Sequence, residues 1–218
     1  MENLIVFLIY SALLIGVMLI AELSYRFLKL QTEWTRKIAH VGSGIVALTY
    51  PLYIHNHLIV LGLTLSFTLI LFTCKKLGLF PSIFSVGRKS YGELLFVWSS
   101  WILFWLAQNT GESIYFYLPF SVVIFADPAA ALIGTKIPIK KYRIFGHEKS
   151  YDGSFAFFII SFALSFYFLS DYFHQQSELF LYSIMHAALL TLTEAISIKG
   201  WDNFTIPVVS VIFLYFIL

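Results

Sequence analysis

Two carboxylates lie inside otherwise apolar stretches of this sequence. Asp127 follows Val122-Val123-Ile124-Phe125-Ala126, and Glu194 follows Leu189-Leu190-Thr191-Leu192-Thr193. A charged side chain at bilayer depth costs about 2.5–3.5 kcal/mol on insertion scales, so such a residue is a functional candidate by default. Asp127 and Glu194 are therefore the candidate catalytic residues. The structural alternatives are a capping aspartate and an interfacial glutamate.

Pro128 immediately follows the first of these carboxylates. Proline cannot donate a helical hydrogen bond, and it is favoured at the first position of a helix. The sequence therefore predicts a helix break, with Asp127 as the N-cap and Pro128 as the first residue of a short half-helix. Ala131 and Gly134 follow on one face of that half-helix, and both are small enough to let a ligand or a neighbouring helix approach.

Cations are found in two further motifs. In a helix, His40 lies four residues after Arg36 and three after Lys37, so these three side chains share one face. Two fixed cations beside a histidine suit a polyphosphate, and the alternative is a basic membrane anchor with an interfacial histidine.

The second motif runs from Lys149 and Ser150 to Gly153 and Ser154. A short loop that leads into a helix binds anions through backbone N–H groups and the helix dipole. The motif is not a Walker A loop, because the first glycine of that pattern is missing. The alternative is a turn in which Asp152 or Ser154 caps the following helix.

Two weaker polar segments complete the candidate set. Asp202 and Asn203 occupy a short turn, where ligand binding and capping of the last helix are equally good interpretations. The Arg88–Glu93 segment resembles the Lys149 motif but is less specific. The remaining histidines, which are His55, His57, His174 and His186, have no metal-ligand spacing to cysteine or carboxylate.

Composition shows where this chemistry takes place. The 218 residues are 59% hydrophobic, 19% aromatic and only 12% charged, with a net charge of +2. A soluble domain is about 25% charged, so a soluble enzyme and a disordered chain are both excluded. The single cysteine excludes an internal disulfide, and the small net charge gives no reason to expect nucleic acid. The chain is predicted to be an integral membrane protein.

Eight apolar runs predict an all-α polytopic helical bundle with about eight spans. We treat residues 1–218 as a single membrane domain, with seven spans if the short second and third runs form a re-entrant hairpin. The predicted spans are Leu4–Ala21, Val41–Ile54, Leu58–Thr73, Leu94–Ala107, Ile114–Gly134, Phe155–Leu169, Leu179–Ile198 and Phe204–Leu218.

The basic residues predict which way these spans face. All 14 lysines and arginines fall in the loops after the first, third, fifth and seventh spans. Cytoplasmic loops collect Lys and Arg, so both termini are expected outside and every candidate site residue at the cytoplasmic rim. We expect a bacterial cytoplasmic membrane, with the site facing the cytoplasm. The sequence predicts no oligomeric state.

At these residues the chain resembles the family of dolichol kinases, phytol kinases and CTP-dependent diacylglycerol kinases. That family is distantly similar to the phosphatidate cytidylyltransferases. The resemblance covers residues 36–207, and Pro128 is a departure from the small residue expected after the aspartate. Four motifs match in order: Arg36-Lys37-x-x-His40-x-x-x-Gly44, Asp127-x-x-Ala130 with Gly134, Lys149-Ser150-x-x-Gly153-Ser154, and Glu194 followed by Asp202-Asn203-x-x-x-Pro207.

The resemblance implies a membrane enzyme that phosphorylates a lipid alcohol, commonly with CTP and Mg²⁺. Asp127 is expected to hold the metal with Asp202, Asn203 or Glu194, and Asp127 or Glu194 to accept the substrate proton. The remaining site residues are expected to bind the nucleotide: Arg36, Lys37, His40, Gly134, Lys149, Ser150, Gly153 and Ser154.

Several alternatives stay open from the sequence. The acceptor could be a polyprenol, a phytol-like alcohol or diacylglycerol, and the donor could be another nucleoside triphosphate. A cytidylyltransferase would use a similar CTP pocket. A transporter is less favoured, because the polar residues cluster at one rim instead of the midplane.

Overall fold

The computed structural model of the protein describes residues 2–84, 90–136, 140–144 and 147–218, and helices dominate these ranges. Its helices are α1 (Glu2–Phe27), α2 (Thr32–Leu48), α3 (Tyr50–Tyr53), α4 (His57–Leu77), α5 (Pro81–Phe84), α6 (Gly92–Thr110), α7 (Ile114–Ser121), α8 (Asp127–Lys136), α9 (Tyr151–Leu169), α10 (Gln176–Ile196) and α11 (Asp202–Ile217). A π-helical segment, Val122–Ala126, joins α7 to α8.

The predicted apolar runs coincide with these helices. Within the described residues, five helical stretches are long and apolar enough to cross a membrane: Glu2–Phe27, His57–Leu77, Ile114–Thr135, Tyr151–Leu169 and Gln176–Ile196. The shorter apolar helix Asp202–Ile217 follows them. The protein is therefore an integral membrane protein with a nearly all-α fold, while the eight-span count stays a prediction.

The second predicted span begins earlier than its apolar run. Helix α2 starts at Thr32, nine residues before the expected Val41, and it ends at Leu48. Arg36, Lys37 and His40 therefore lie inside a helix, as their shared-face spacing requires. Pro51 lies in the first turn of the separate short helix α3 (Tyr50–Tyr53), where its missing N–H costs no hydrogen bond.

The predicted helix break at Asp127 is wrong. Asp127 has helical dihedral angles (φ −62°, ψ −48°), and the chain passes from α7 through the π-helical segment into α8 without interruption. A π turn inserts one extra residue per turn, and this shifts the hydrogen-bond ladder where Pro128 lacks a donor. Asp127 is therefore presented from a bulged, continuous helix.

Two short strands, which the all-α prediction did not include, precede α9. Strands β1 (Lys141–Ile144) and β2 (His147–Ser150) pair in antiparallel register. Arg143 Nη2 lies 2.6 Å from Glu148 Oε1 across the hairpin, and its guanidinium holds the pKa of the Glu148 carboxyl below its ordinary value. The hairpin places Lys149 at the start of α9.

The N-cap of α9 also differs from the prediction. Ser150 caps the helix, because its Oγ accepts the Gly153 N–H at 3.0 Å. Asp152 and Ser154, the expected caps, lie within the first turn, and the Ser154 hydroxyl is hydrogen-bonded to the Tyr142 hydroxyl at 2.6 Å. Similarly, Trp201 is the N-cap residue of α11, while Asp202 and Asn203 belong to its first turn.

The core surrounds the π-helical segment, whose residues Val122, Val123, Ile124 and Ala126 are fully buried. Helix α2 packs directly on it at Gly44. A β-carbon at Gly44 would lie 2.5 Å from Ile124 Cγ1, closer than side-chain carbons can approach. This close packing brings the basic face of α2 beside Asp127.

The predicted sidedness is testable with reporter fusions. Reporters inserted at Asn56 and Asn109 should read as external, and those at Lys76 and Lys141 as cytoplasmic, because Lys and Arg are retained on the cytoplasmic side. A cytoplasmic signal at Asn109 would contradict both the span assignment and the cytoplasmic site.

Candidate active site

One cavity of about 690 Å³ contains all of the residues predicted for the site. It lies between the N-terminal turns of α2, α6 and α11, helix α8, the β hairpin and the C-terminal end of α10. The predicted residues that line it are Arg36, Lys37, His40, Asp127, Gly134, Lys149, Ser150, Gly153, Ser154, Glu194, Asp202 and Asn203. The fold thus brings together motifs that are up to 167 positions apart. Their roles in binding or catalysis stay predictions.

The first carboxylate is paired with a lysine from another helix. Lys37 Nζ on α2 lies 2.6 Å from Asp127 Oδ2 at the start of α8. The side chains are only 21% and 16% exposed, respectively. A charge-assisted hydrogen bond in such a poorly solvated position stabilises both ions. Asp127 therefore has a specific cationic partner, and the interpretation as a simple helix cap is wrong.

The second carboxylate is paired in the same way. Lys149 Nζ lies 2.5 Å from Glu194 Oε1 and also donates to the Glu194 backbone carbonyl. The two side chains are 18% and 10% exposed. Two lysine–carboxylate pairs therefore face one cavity, each joining residues that are far apart in the sequence.

His40 is oriented by the π-helical segment. In a π turn, an N–H donates to the carbonyl five residues back. The residue five positions after Val123 is Pro128, which has no N–H to donate to the Val123 carbonyl. His40 Nε2 lies 3.1 Å from that oxygen and must carry the hydrogen, because a carbonyl only accepts. The imidazole also packs on Phe96.

Arg36 lies between two glutamates. Its Nη2 is 3.4 Å from Glu93 Oε1, and its Nη1 is 3.5 Å from Glu33 Oε2. Both glutamates line the cavity. Glu93 is not among the predicted site residues, and its position in the first turn of an apolar helix is the sequence signal that could have found it.

Asp202 and Asn203 present oxygen atoms to the same cavity. Asn203 Nδ2 donates to the Gly92 carbonyl at 2.8 Å, whereas its Oδ1 is buried and has no partner among the described residues. Asp202 Oδ1 accepts the Asn203 N–H at 2.9 Å, and its carboxylate is close enough to Asp127 for the two charges to repel.

These oxygen atoms fit a hard cation such as Mg²⁺. Among the described residues, no group of three or more His, Cys, Asp or Glu side chains could hold a metal alone. Mg²⁺ commonly takes one or two carboxylates and completes its coordination with water and substrate phosphates. Asp202, Asp127 and the orphaned Asn203 Oδ1 are suited to that partial role.

Gly134 and Gly153 allow α8 and α9 to approach closely. A β-carbon at Gly134 would lie 2.6 Å from Ser150 Oγ, and one at Gly153 would lie 2.8 Å from the Ala130 carbonyl. Both glycines thus have a packing role beside any contact with a ligand. Arg88 and Lys89 of the weaker basic motif lie outside the described residues.

Comparison with known proteins agrees with the resemblance noted from the motifs. A protein from Synechocystis sp. (strain ATCC 27184 / PCC 6803 / Kazusa) described as phytol kinase is 31% identical over 197 residues. The aligned region covers 89% of this chain and 84% of that protein. No family model matches the chain. No solved structure matches it with significant similarity.

Proposed function

Because this chain belongs to the polyprenol and phytol kinase-like family of membrane lipid-alcohol kinases, we propose that it transfers the γ-phosphoryl group of CTP to a lipid alcohol. The acceptor is a polyprenol, a phytol-like alcohol or diacylglycerol. The observation that carries the proposal is one cavity with cations and carboxylates at one end and apolar side chains at the other.

The cations are suited to the triphosphate. Lys37 and Lys149 are each held by a single carboxylate, at 2.6 and 2.5 Å. When a triphosphate enters, both ammonium groups can turn from these carboxylates to phosphate oxygens, which carry more charge. Arg36 offers a planar guanidinium for the same purpose. Release of the two lysines would leave the carboxylates of Asp127 and Glu194 free to bind a metal ion or to accept a proton.

Mg²⁺, when bound, would neutralise charge on the β- and γ-phosphates during phosphoryl transfer. Asp127, Asp202 and the Asn203 Oδ1 are the residues that would hold it. Water and phosphate oxygens of the nucleotide would complete the coordination of such an ion.

The reaction itself needs a positioned hydroxyl and a base. The lipid oxygen attacks the γ-phosphorus, the bond from that phosphorus to the β–γ bridging oxygen breaks, and CDP leaves. The hydroxyl proton passes to a carboxylate, for which Asp127 and Glu194 are the candidates. If Asp127 holds the metal, Glu194 is the base, since one carboxylate cannot serve both roles well.

Position-specific labelling tests this reaction. Purified protein is incubated with the lipid alcohol and CTP labelled with ³²P at either the γ or the α position. We expect γ-label in the lipid phase, CDP in the aqueous phase, and no α-label in the lipid. Parallel reactions with ATP, GTP and UTP measure the preference for CTP.

The same labelling experiment, repeated with a lipid phosphate in place of the alcohol, distinguishes the rival reaction. A cytidylyltransferase needs a lipid that is already phosphorylated, attacks the α-phosphorus and releases pyrophosphate. Label from the α position in the lipid would contradict the kinase and support the cytidylyltransferase. An absence of label from either position, with every acceptor alcohol and with the lipid phosphate, would contradict both.

A further inference from the structure

The cavity continues from its charged end into an arm lined by hydrocarbon. The walls of this arm come from α1, α2, α4 and α6, and they are formed chiefly by Leu14, Met18, Leu63, Phe67, Leu71 and Phe96. These six side chains are all buried by the protein. The arm could not be predicted from the sequence, because its walls are shared among four different helices.

The serine and threonine hydroxyls in the arm have partners. Thr64 and Ser100 both donate to the Val97 carbonyl, at 3.4 and 2.7 Å, and Ser43 donates to the Ala39 carbonyl at 2.6 Å. A polar ligand would find little to bind in this part of the cavity. The arm is therefore suited to a hydrocarbon chain.

Two helices that begin near the charged end show how far the arm extends into the bundle. Ala47 lies ten residues beyond Lys37 on α2, about 15 Å at the helical rise. Ser100 lies seven residues beyond Glu93 on α6, about 10 Å by the same measure. Both inner residues line the cavity, so the arm reaches well into the bilayer-spanning part of the bundle.

The inner end of the arm is closed by aromatic packing. Tyr50 and Leu63 line this end and are only 3% and 2% exposed. Behind Tyr50 lie the rings of Tyr10 and Phe104, with ring centroids 5.0 and 6.2 Å away. Close-packed aromatic rings resist displacement. A hydrocarbon chain that enters the arm therefore cannot extend beyond Tyr50.

We propose that this arm binds the hydrocarbon chain of the lipid alcohol, and that Tyr50 and Leu63 limit the length of that chain. The inference rests on the proposed kinase function, since the hydroxyl of a chain seated here would face the charged end. One cavity of about 690 Å³ must also accommodate the triphosphate. It therefore suits one prenol-type chain better than the two acyl chains of diacylglycerol.

Chain-length profiles test the proposal. We compare kcat/KM for geraniol, farnesol and phytol, with dioleoylglycerol as a two-chain acceptor. Ala47→Phe fills the arm and should lower the ratio of phytol to geraniol turnover at least about tenfold, because several methylene groups lose their binding site. Leu63→Ala deepens the arm and should shift the preference towards longer chains. Ile45→Phe is the matched control, because Ile45 lies on the same helix but is 50% exposed.

A second measurement does not depend on turnover. A farnesol analogue with a photoreactive diazirine on its terminal isoprene unit should label peptides that contain Ala47, Tyr50 or Leu63. Labelling there without any phosphorylation would support the chain site and contradict the kinase proposal. Phosphorylation with labelling elsewhere would support the kinase and contradict the chain site.

Three further outcomes would overturn the chain site. The first is an equal loss of geraniol and phytol turnover in the folded Ala47→Phe variant. The second is an unchanged length profile in both Ala47→Phe and Leu63→Ala. The third is phosphorylation of dioleoylglycerol as efficient as that of phytol. Because Leu63→Ala enlarges the arm, it tests the proposal even where Ala47→Phe fails to fold.

Discussion

Replacing Asp127 by asparagine is expected to lower kcat at least about 100-fold, the usual cost of removing one preorganised electrostatic group from an active site. The change keeps the shape of the side chain but removes the charge that pairs with Lys37 at 2.6 Å. Membrane insertion should be unaffected or improved, because a neutral side chain costs less at that depth. The measurement is the initial rate with labelled CTP at saturating lipid alcohol.

Two controls separate lost chemistry from lost folding. Asp171→Asn makes the same change at an exposed position outside the cavity and should keep full activity. The double variant Lys37→Gln with Asp127→Asn removes both members of the pair, so it should recover thermal stability that Asp127→Asn loses by leaving Lys37 unpaired. It should stay inactive. Activity in the double variant would show that Asp127 serves only as a counter-ion.

The second large effect is expected at Lys149. Lys149→Ala should raise the KM for CTP about 10- to 150-fold, because a hydrogen bond to a charged group contributes about 1.5–3 kcal/mol. The kcat should fall much less, because the lysine acts mainly on nucleotide binding. Saturation kinetics with CTP at fixed lipid alcohol measure both constants.

The matched control for this prediction is Lys140→Ala. Lys140 is an exposed residue beside the same hairpin and does not line the cavity, so its loss removes an equal charge without removing a ligand. Lys149→Arg keeps the charge and should retain part of the affinity. An unchanged KM in Lys149→Ala would place the triphosphate elsewhere in the cavity.

The sequence determined that this is a helical membrane protein, because hydropathy is a local property of each run of residues. It also singled out the candidate site residues, because charged side chains in apolar runs and cations at helical spacing are visible without a fold. The motif resemblance then predicted the kinase family to which the chain belongs.

Local backbone details were predicted less well. Proline predicted a break at Asp127, yet the surrounding bundle keeps that helix continuous through a π-helical segment. The sequence offered Asp152 and Ser154 as caps, but the hairpin ends at Ser150, and Ser150 is the cap. Such choices differ by about 1 kcal/mol, so tertiary packing decides among them.

Only the tertiary structure decided which charges meet. Lys37 pairs with Asp127 across 90 positions, and Lys149 pairs with Glu194 across 45. These pairs depend on which helix faces pack together. The basic face of α2 does not indicate which of the mostly apolar neighbouring helices it will meet. The apolar arm between α1, α2, α4 and α6 could not be predicted either. A cavity depends on the space between helices, and the sequence of one helix does not show that space.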